Sequence, residues 1–414
     1  MNPFQEKPKK IEKTYESWKG LSPASYDKHE TDPYTKVRII LMNGTEFEAE
    51  KFSHCFSRNC SNNDIRRDLA LLRRTEQQQQ KKLNALKPID ENFLETTITY
   101  EQLAVDLTAI LAKREKDANV KNQLDFALLE DFDHLYRFSD MLEQDYGEMF
   151  DVLVGHYTEI MPGRPTIAEH RHPFDDVKRY VNYHKADPVT KLNVGIITAA
   201  EQQTMNFYMN VGAFYPTDAG RKMYSEIAMI EEQHVTGYGS LMDTECTWLE
   251  NLLMHEYTEC YLYYSCWQDE TDQKVKRIWE KHFEDEVAHL HYAKELLLKY
   301  EGKEWQQVIP TGEFPELLSF HENKEYIRNV LKSVRMTAFR EGFEHVNDVP
   351  DNHEFFQYQK IVNANLNEVP SHKMMKDYIR KNGEDMRFEI KPHPEKILRI
   401  RTEDNYELAR KKGV

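Results

Sequence analysis

At 414 residues and 49.3 kDa, the chain is long enough for one large domain or two to three smaller ones. Its 71 acids against 55 bases leave a net charge of −16, which argues against nucleic-acid binding. Hydrophobic residues reach 40% but no run is long enough for a transmembrane helix, and five cysteines without a Cys-x-x-Cys pair fit a reducing cytoplasm better than a disulfide framework.

Residues 1–36 are polar and basic-leaning, with Glu6-Lys7-Pro8-Lys9-Lys10 near the start and no apolar h-region, so no secretory signal is visible. Val37-Arg38-Ile39-Ile40-Leu41-Met42, turning at Asn43-Gly44 into Thr45-Glu46-Phe47, has the pattern of a β-hairpin. A charged helix is expected from Asp64 to about Leu86, and another from about Tyr100 to Lys116 with Leu103, Leu107, Ile110 and Leu111 on one face. Residues 37–118 thus read as a segment of hairpin and helices ahead of a larger helical region, 119–305.

Asp125 to Gln144 reads as an amphipathic helix with Leu124, Leu128, Asp131, Leu135, Phe138 and Leu142 on one face. It carries Asp131-x-x-His134, with Glu130 one turn before His134. Two readings are open: a fifth, covering helix with a surface Asp/His pair, which is preferred, or the first helix of a bundle with 147–190 as its crossover. In the second, Glu130 or Asp131 would enter a site. Glu169-x-x-His172 lies in the connection, where Pro165 and Pro173 argue against helical presentation, and it is not expected to contribute.

Four helical segments follow, carrying Glu201, then Glu231-x-x-His234, then Glu256, then Glu286-x-x-His289. A lone Glu-x-x-His is a weak signal, so the weight falls on the arrangement. Successive glutamates are 30, 25 and 30 residues apart, and the midpoints fall at Pro216, Asp243-Thr244 and Thr271, all in breaking or capping stretches. At 1.5 Å rise per residue, ligands equidistant from each turn meet at one height, roughly 19–22 Å from it. Each Glu and His also occupies a position in an apolar stripe, such as Val275, Ile278, His282, Glu286, His289, Ala293 and Leu296 on the last helix. An unpaired buried carboxylate is costly, and a divalent cation shared by facing helices removes several such costs together. The bland alternative is a helical scaffold whose acids are solvated or paired with Lys and Arg. Beyond these two halves, 55 residues apart, no internal repeat is evident.

Residues 190–300 resemble a ferritin-like di-iron carboxylate domain, most of all its rubrerythrin branch. Glu256-Tyr-Thr-Glu259 is similar to the paired acids, one terminal and one bridging, of rubrerythrins. The resemblance implies Glu201 as a terminal carboxylate, Glu231 and Glu286 as bridging or terminal acids, and His234 and His289 as nitrogen ligands. His282, one turn before Glu286, resembles the extra histidine of arylamine N-oxygenases, as a seventh ligand or a neighbour of one. With Tyr257, from the aromatic-rich third helix, it is the candidate catalytic residue. Two iron ions are implied, with manganese the alternative, together with O2 or a peroxide, a small organic substrate in an oxygenase, and a separate electron-donor protein, because the two Cys-x-x-Cys pairs of a rubredoxin-like centre are absent. The 25 residues between Glu231 and Glu256 are too few for the family's long crossover, so a simple up-down-up-down bundle is expected.

After Ile309-Pro310 and Phe314-Pro315 a C-terminal extension, 306–414, is expected to hold amphipathic helices near 321–345 and 353–363. A basic tail with turns or linkers at Val369-Pro370 and Lys391-Pro392-His393-Pro394 follows them. The whole reads as a mostly α protein: a ferritin-like helix bundle with a small N-terminal β-hairpin and extra flanking helices. The expected function is a cytoplasmic di-iron or di-manganese oxidoreductase acting on peroxide, O2 or a small organic substrate, with room for a homodimer. The alternative is a non-enzymatic helical scaffold or assembly protein with a structural or vestigial metal site.

Overall fold

The computed structural model describes residues 1–147, 150–340, 342–385 and 392–403; Lys391 of the expected turn and the basic chain beyond 403 lie outside them. The described chain is mostly helical. Its principal helices are α1 (Pro33–Asn59), α2 (Asn63–Asn84), α3 (Phe93–Arg114), α4 (Ala118–Tyr146), α5 (Pro188–Phe214), α6 (Asp218–Ser240), α7 (Trp248–Asp269), α8 (Gln273–Glu301), α9 (Lys324–Val330), α10 (Glu354–Val362) and α11 (Pro370–Asn382). Strands β1 (Met336–Phe339) and β2 (Gly342–His345) form a two-stranded antiparallel sheet, with Met336 opposite His345 and Phe339 opposite Gly342.

Local chemistry sets most of these boundaries. Asp32, Asn62, Asp117, Thr217 and Asp272 each accept a backbone N–H of the first turn they cap, and Asn92/Glu95 and Thr247/Glu250 form capping boxes. Each such cap contributes about 1 kcal/mol. Gly147 and Gly302 end α4 and α8 in the left-handed region, at φ of 67° and 65°.

The hairpin expected at 37–50 is instead the interior of α1. Asp32-Pro33 starts a helix, and Val37, Leu41, Thr45, Ala49, Ser53 and Phe56 bury a stripe of helical period. Gly44 serves close approach: a Cβ there would lie 3.0 Å from Gln203 Oε1 and 3.2 Å from the Ala199 carbonyl of α5. The hairpin of the described chain is β1–β2, within the stretch read as a helix over 321–345, of which only Lys324–Val330 is α-helical. Val369-Pro370, read as a turn or linker, starts α11, with Pro370 in its first turn.

The chain divides into two compact units. The first comprises Met1–Glu91, Val181–Gln203 and Met242–Phe320. In it α1 packs along α2, α7 along α8, α1 against α7 and α2 against α8. The second comprises Asn92–Tyr180, Thr204–Leu241 and His321–Val414. There α3 packs along α4, α4 against α6, and α11 against both α4 and α6. The stretch 119–305, expected as one bundle, is divided between them. No helix among the described residues is long and apolar enough to cross a membrane.

Candidate metal centres

In the first unit each of the four helices brings acid to one buried place: Glu46 from α1, Glu76 from α2, Glu256 and Glu259 from α7, Glu286 and His289 from α8. Ligand atoms of Glu76, Glu256, Glu286 and His289 lie within 4.8 Å of one another, and so do those of Glu46, Glu76 and Glu259. Glu76 belongs to both groups. His289 Nδ1 stands 2.9 Å from Glu76 and 2.9 Å from Glu286, and Gln79 donates to Glu286 at 2.5 Å. Both oxygens of Glu259, and one each of Glu46, Glu76 and Glu256, are buried without a hydrogen-bond partner.

The electrostatics are those of crowded acids. Burial, reinforced by neighbouring carboxylates, pushes Glu46, Glu256 and Glu259 well above the usual carboxylate range, and Glu76 upward. Burial opposes a charge on His289, but Glu286 and Glu76 outweigh it and raise its pKa well above 6.5. Five carboxyls share one imidazole. Such a donor set could hold a metal cation.

A polar chain adjoins this cluster. Tyr263 donates its phenol hydrogen to Glu46, and His282 Nδ1 is 3.1 Å from the same phenol oxygen. Burial, then the charges of Lys82, Lys281 and Lys9, hold His282 well below its ordinary pKa, so it is neutral and its Nδ1–H donates to Tyr263. Its Nε2 is buried without a partner. His282 therefore meets the cluster through Tyr263. Tyr257, the other candidate catalytic residue, does not join it: its hydroxyl donates to the Glu313 carbonyl at 2.9 Å, and its ring packs on Phe4 and Phe314. Tyr261 binds the Glu316 carbonyl in the same way, at 2.7 Å. On α7 the spacing of three and four puts Glu256, Glu259 and Tyr263 on one face and turns Tyr257, Tyr261 and Tyr264 onto the next.

His255 links the cluster to a cleft. It lines that cleft with Phe52, Gly195, Ile196, Met254 and Leu262, and its Nε2 is 3.8 Å from Glu259. Burial lowers the His255 pKa to about 4, against a weaker pull from Glu286, so the ring is neutral.

The second unit holds another cluster. Glu101 of α3, His134 of α4 and Glu231 of α6 place ligand atoms within 4.8 Å of one another, and Asp131, Glu231 and His234 do likewise. All five are fully buried. His134 Nδ1 is 2.9 Å from Glu231, and its Nε2 is 3.0 Å from Glu169. His234 Nδ1 is 3.1 Å from Asp131 and 3.3 Å from Glu231, and its Nε2 is 2.8 Å from Glu130. Arg171 donates to both oxygens of Glu130, at 2.7 and 2.8 Å, and to Asp176 at 2.9 Å. Tyr208 donates to Glu101. Burial opposes ionisation of Glu130, yet Arg171 and His234 bring it down to about 2. Burial outweighs His134 at Glu169 and raises it to about 8. Against burial, hydrogen bonds from His134 and His234 hold Glu231 well below the usual range, and their carboxylate partners raise both histidines well above 6.5.

Two expectations are overturned here. α4 is no covering helix with a surface Asp/His pair: Glu130, Asp131 and His134 are all fully buried. Glu169 does reach His134, because Pro165 precedes a 3-10 turn, Thr166–Ala168, that presents Glu169 at its end. Gly163 lets that segment approach α4, since a Cβ there would lie 2.9 Å from the Asp133 nitrogen.

The seven residues expected around one site are thus distributed. Glu256, Glu259, Glu286 and His289 come together in the first unit, and Glu231 and His234 belong to the second. Glu201 is buried on α5, two residues before the chain passes from the first unit to the second. α7 and α8 pack with α1 and α2, while α6 packs against α4.

Sequence reasoning missed Glu46, Glu76, Gln79 and Glu101, although a signal for them was present. Glu46 and Glu76, Glu101 and Asp131, Glu201 and Glu231, Glu256 and Glu286 are each 30 residues apart. The first pair to the second, and the third to the fourth, is a step of 55. A search allowing Asp for Glu and Gln for His finds four copies of acid, then acid-x-x-His. No family model, curated protein or solved structure matches this chain.

Proposed function

We propose that the first unit is a ferritin-like four-helix bundle that holds two carboxylate-bridged iron or manganese ions and uses them in redox chemistry with O2 or a peroxide. The observation that carries this reading is the set of buried carboxylate oxygens of Glu46, Glu76, Glu256 and Glu259 with no hydrogen-bond partner. Oxygen donors with one imidazole, and no sulfur in the group, suit iron or manganese. Glu76, common to both groups, would bridge; Glu256, Glu286 and His289 would hold one ion, and Glu46 and Glu259 the other. Reduced iron or manganese there would supply the electrons for the reaction.

The chain's own residues have three tasks in this reading. The apolar walls of the cleft, Phe52, Ile196, Met254 and Leu262, exclude water and admit a small oxidant or organic substrate. Neutral His255 stands between that cleft and Glu259. Tyr263 and His282 hold a proton at Glu46 and provide its route away. Electrons come from a separate donor protein.

The test is anaerobic loading of the full chain with Fe2+, followed by mixing with hydrogen peroxide or O2 and measurement of oxidant consumed. Stoichiometric consumption that is lost in E76Q/E286Q, with the variant still folded by circular dichroism, is the predicted result. Consumption no faster than that of free Fe2+ overturns the reading.

A further inference from the structure

We infer that the second unit holds a metal centre of its own, built from Glu101, Asp131, His134, Glu231 and His234 and suited to a divalent first-row transition ion. This inference does not depend on the first unit or on any redox activity there.

The orientation of the two imidazoles carries it. Each ring spends Nε2 on a carboxylate outside the group: His134 on Glu169 at 3.0 Å, and His234 on Glu130 at 2.8 Å. Each then turns Nδ1 toward the shared acids, His134 to Glu231 and His234 to Asp131 and Glu231. Without metal each Nδ1 carries a proton toward those acids; a divalent ion seated among them would displace that proton and take the Nδ1 lone pair, while Nε2–H stays on its outer carboxylate. Carboxylate–histidine pairs of this kind fix the tautomer and orientation of metal-binding histidines. The outer acids are themselves held, Glu130 by the two hydrogen bonds from Arg171.

The second observation lies in the acids. Both oxygens of Asp131, and one each of Glu101 and Glu231, are buried without a hydrogen-bond partner. Buried polar atoms are almost always paired, so four such oxygens facing two imidazoles mark a missing positive centre. Two nitrogen donors favour a transition ion over calcium or magnesium.

The two centres differ in kind. At the position of His134 in the repeat the first unit has Gln79, and the Nε2 of His289 has no outer partner. The second centre is therefore richer in nitrogen and more firmly oriented.

The experiment uses Co2+ as the probe and the full chain carrying E76Q/E286Q, which strikes both ligand groups of the first unit, since Glu76 belongs to each, and none of the second. Co2+ bound after gel filtration is measured by elemental analysis and by its visible absorption. The inference predicts stoichiometric Co2+ in that variant and its loss when D131N/E231Q is added. Glu169→Gln, which keeps the side chain's size, is predicted to weaken Co2+ binding by about 10- to 100-fold, as loss of an outer partner does. Folded E76Q/E286Q protein without Co2+, or Co2+ binding that survives D131N/E231Q, overturns the inference. A first unit that fails to bind leaves these outcomes unaffected.

Discussion

Tyr263 donates a hydrogen bond to Glu46, and Tyr208, 55 residues before Tyr263, donates one to Glu101, 55 residues after Glu46. The same contact therefore recurs in both units between equivalent positions of the repeat. Each unit combines an early pair of helices with later ones: α1 and α2 with α7 and α8, α3 and α4 with α6. In chain order α3, α4 and α6 lie between α2 and α7.

Tyr263→Phe removes the donor to Glu46 and the acceptor for His282 while keeping the ring. Leaving buried polar groups unpaired costs about 1–3 kcal/mol, so unfolding of the metal-free chain by denaturant should show a loss of that size. Tyr208→Phe should cost a similar amount. An unchanged unfolding midpoint in both would show that these contacts do not matter to the fold.

Arg171→Ala removes both guanidinium hydrogen bonds from Glu130 and the one to Asp176 in the second unit. Breaking a buried ion pair by removing one partner costs about 3–5 kcal/mol, a large part of a domain's stability. Thermal unfolding should show a marked drop in Tm, and a drop no larger than that of an exposed surface substitution would contradict the geometry.

The metal-free chain should be most stable in mildly acid solution. His134, His234 and His289 have folded pKa values well above 6.5, so the stability they contribute is fully present below 6.5 and is lost as pH rises through those values. Glu46, Glu101, Glu256 and Glu259 are raised well above 4.5, and Glu169 to about 8, so the folded chain keeps protons that the unfolded chain releases, and stability again falls with rising pH. Glu130 and Glu231 are depressed; their contribution is present above 4.5 and lost as pH falls toward about 2. His255 and His282 are depressed, so their contribution grows as pH rises to 6.5 and is constant above it; metal-free Tm should therefore decline from pH 6.5 to pH 8. Metal affinity should move the other way, because binding displaces protons. A metal-free Tm that rises over that range would be inconsistent with these buried groups.

Gly195→Leu fills the cleft beside His255. A Cβ at Gly195 meets only Thr258, at 3.8 and 3.9 Å, so the backbone accepts it and the longer side chain enters the cleft. In the proposed function, metal content is retained and the rate of reaction with peroxide falls by about tenfold, equivalent to about 1.4 kcal/mol in barrier. An unchanged rate would place the oxidant's route elsewhere.

Much of the helical layout was legible. α2, α4 and α10 show in periodicity and caps, as do Glu231-x-x-His234 and Glu286-x-x-His289. α1 was hidden because Val37 to Met42 is rich in β-formers and Asn43-Gly44 is a strong hairpin signal, whereas Gly44 is there to let α5 approach. Pairing was not legible. Equal spacing fixes the height of a ligand on its own hairpin but not which hairpin lies opposite, and that is decided by packing between residues more than 150 apart, such as Glu46 and Tyr263. Asp131 in place of Glu and Gln79 in place of His also masked two copies of the repeat.

A metal centre at Glu76, Glu256, Glu286 and His289 is read out by metal content per chain. The unaltered chain and E76Q/E286Q are loaded anaerobically with Fe2+ or Mn2+, passed through gel filtration and analysed for metal. About two fewer ions per chain are expected in the folded variant, the complement of one two-metal site. Equal metal in both proteins, or none in the unaltered chain, contradicts it.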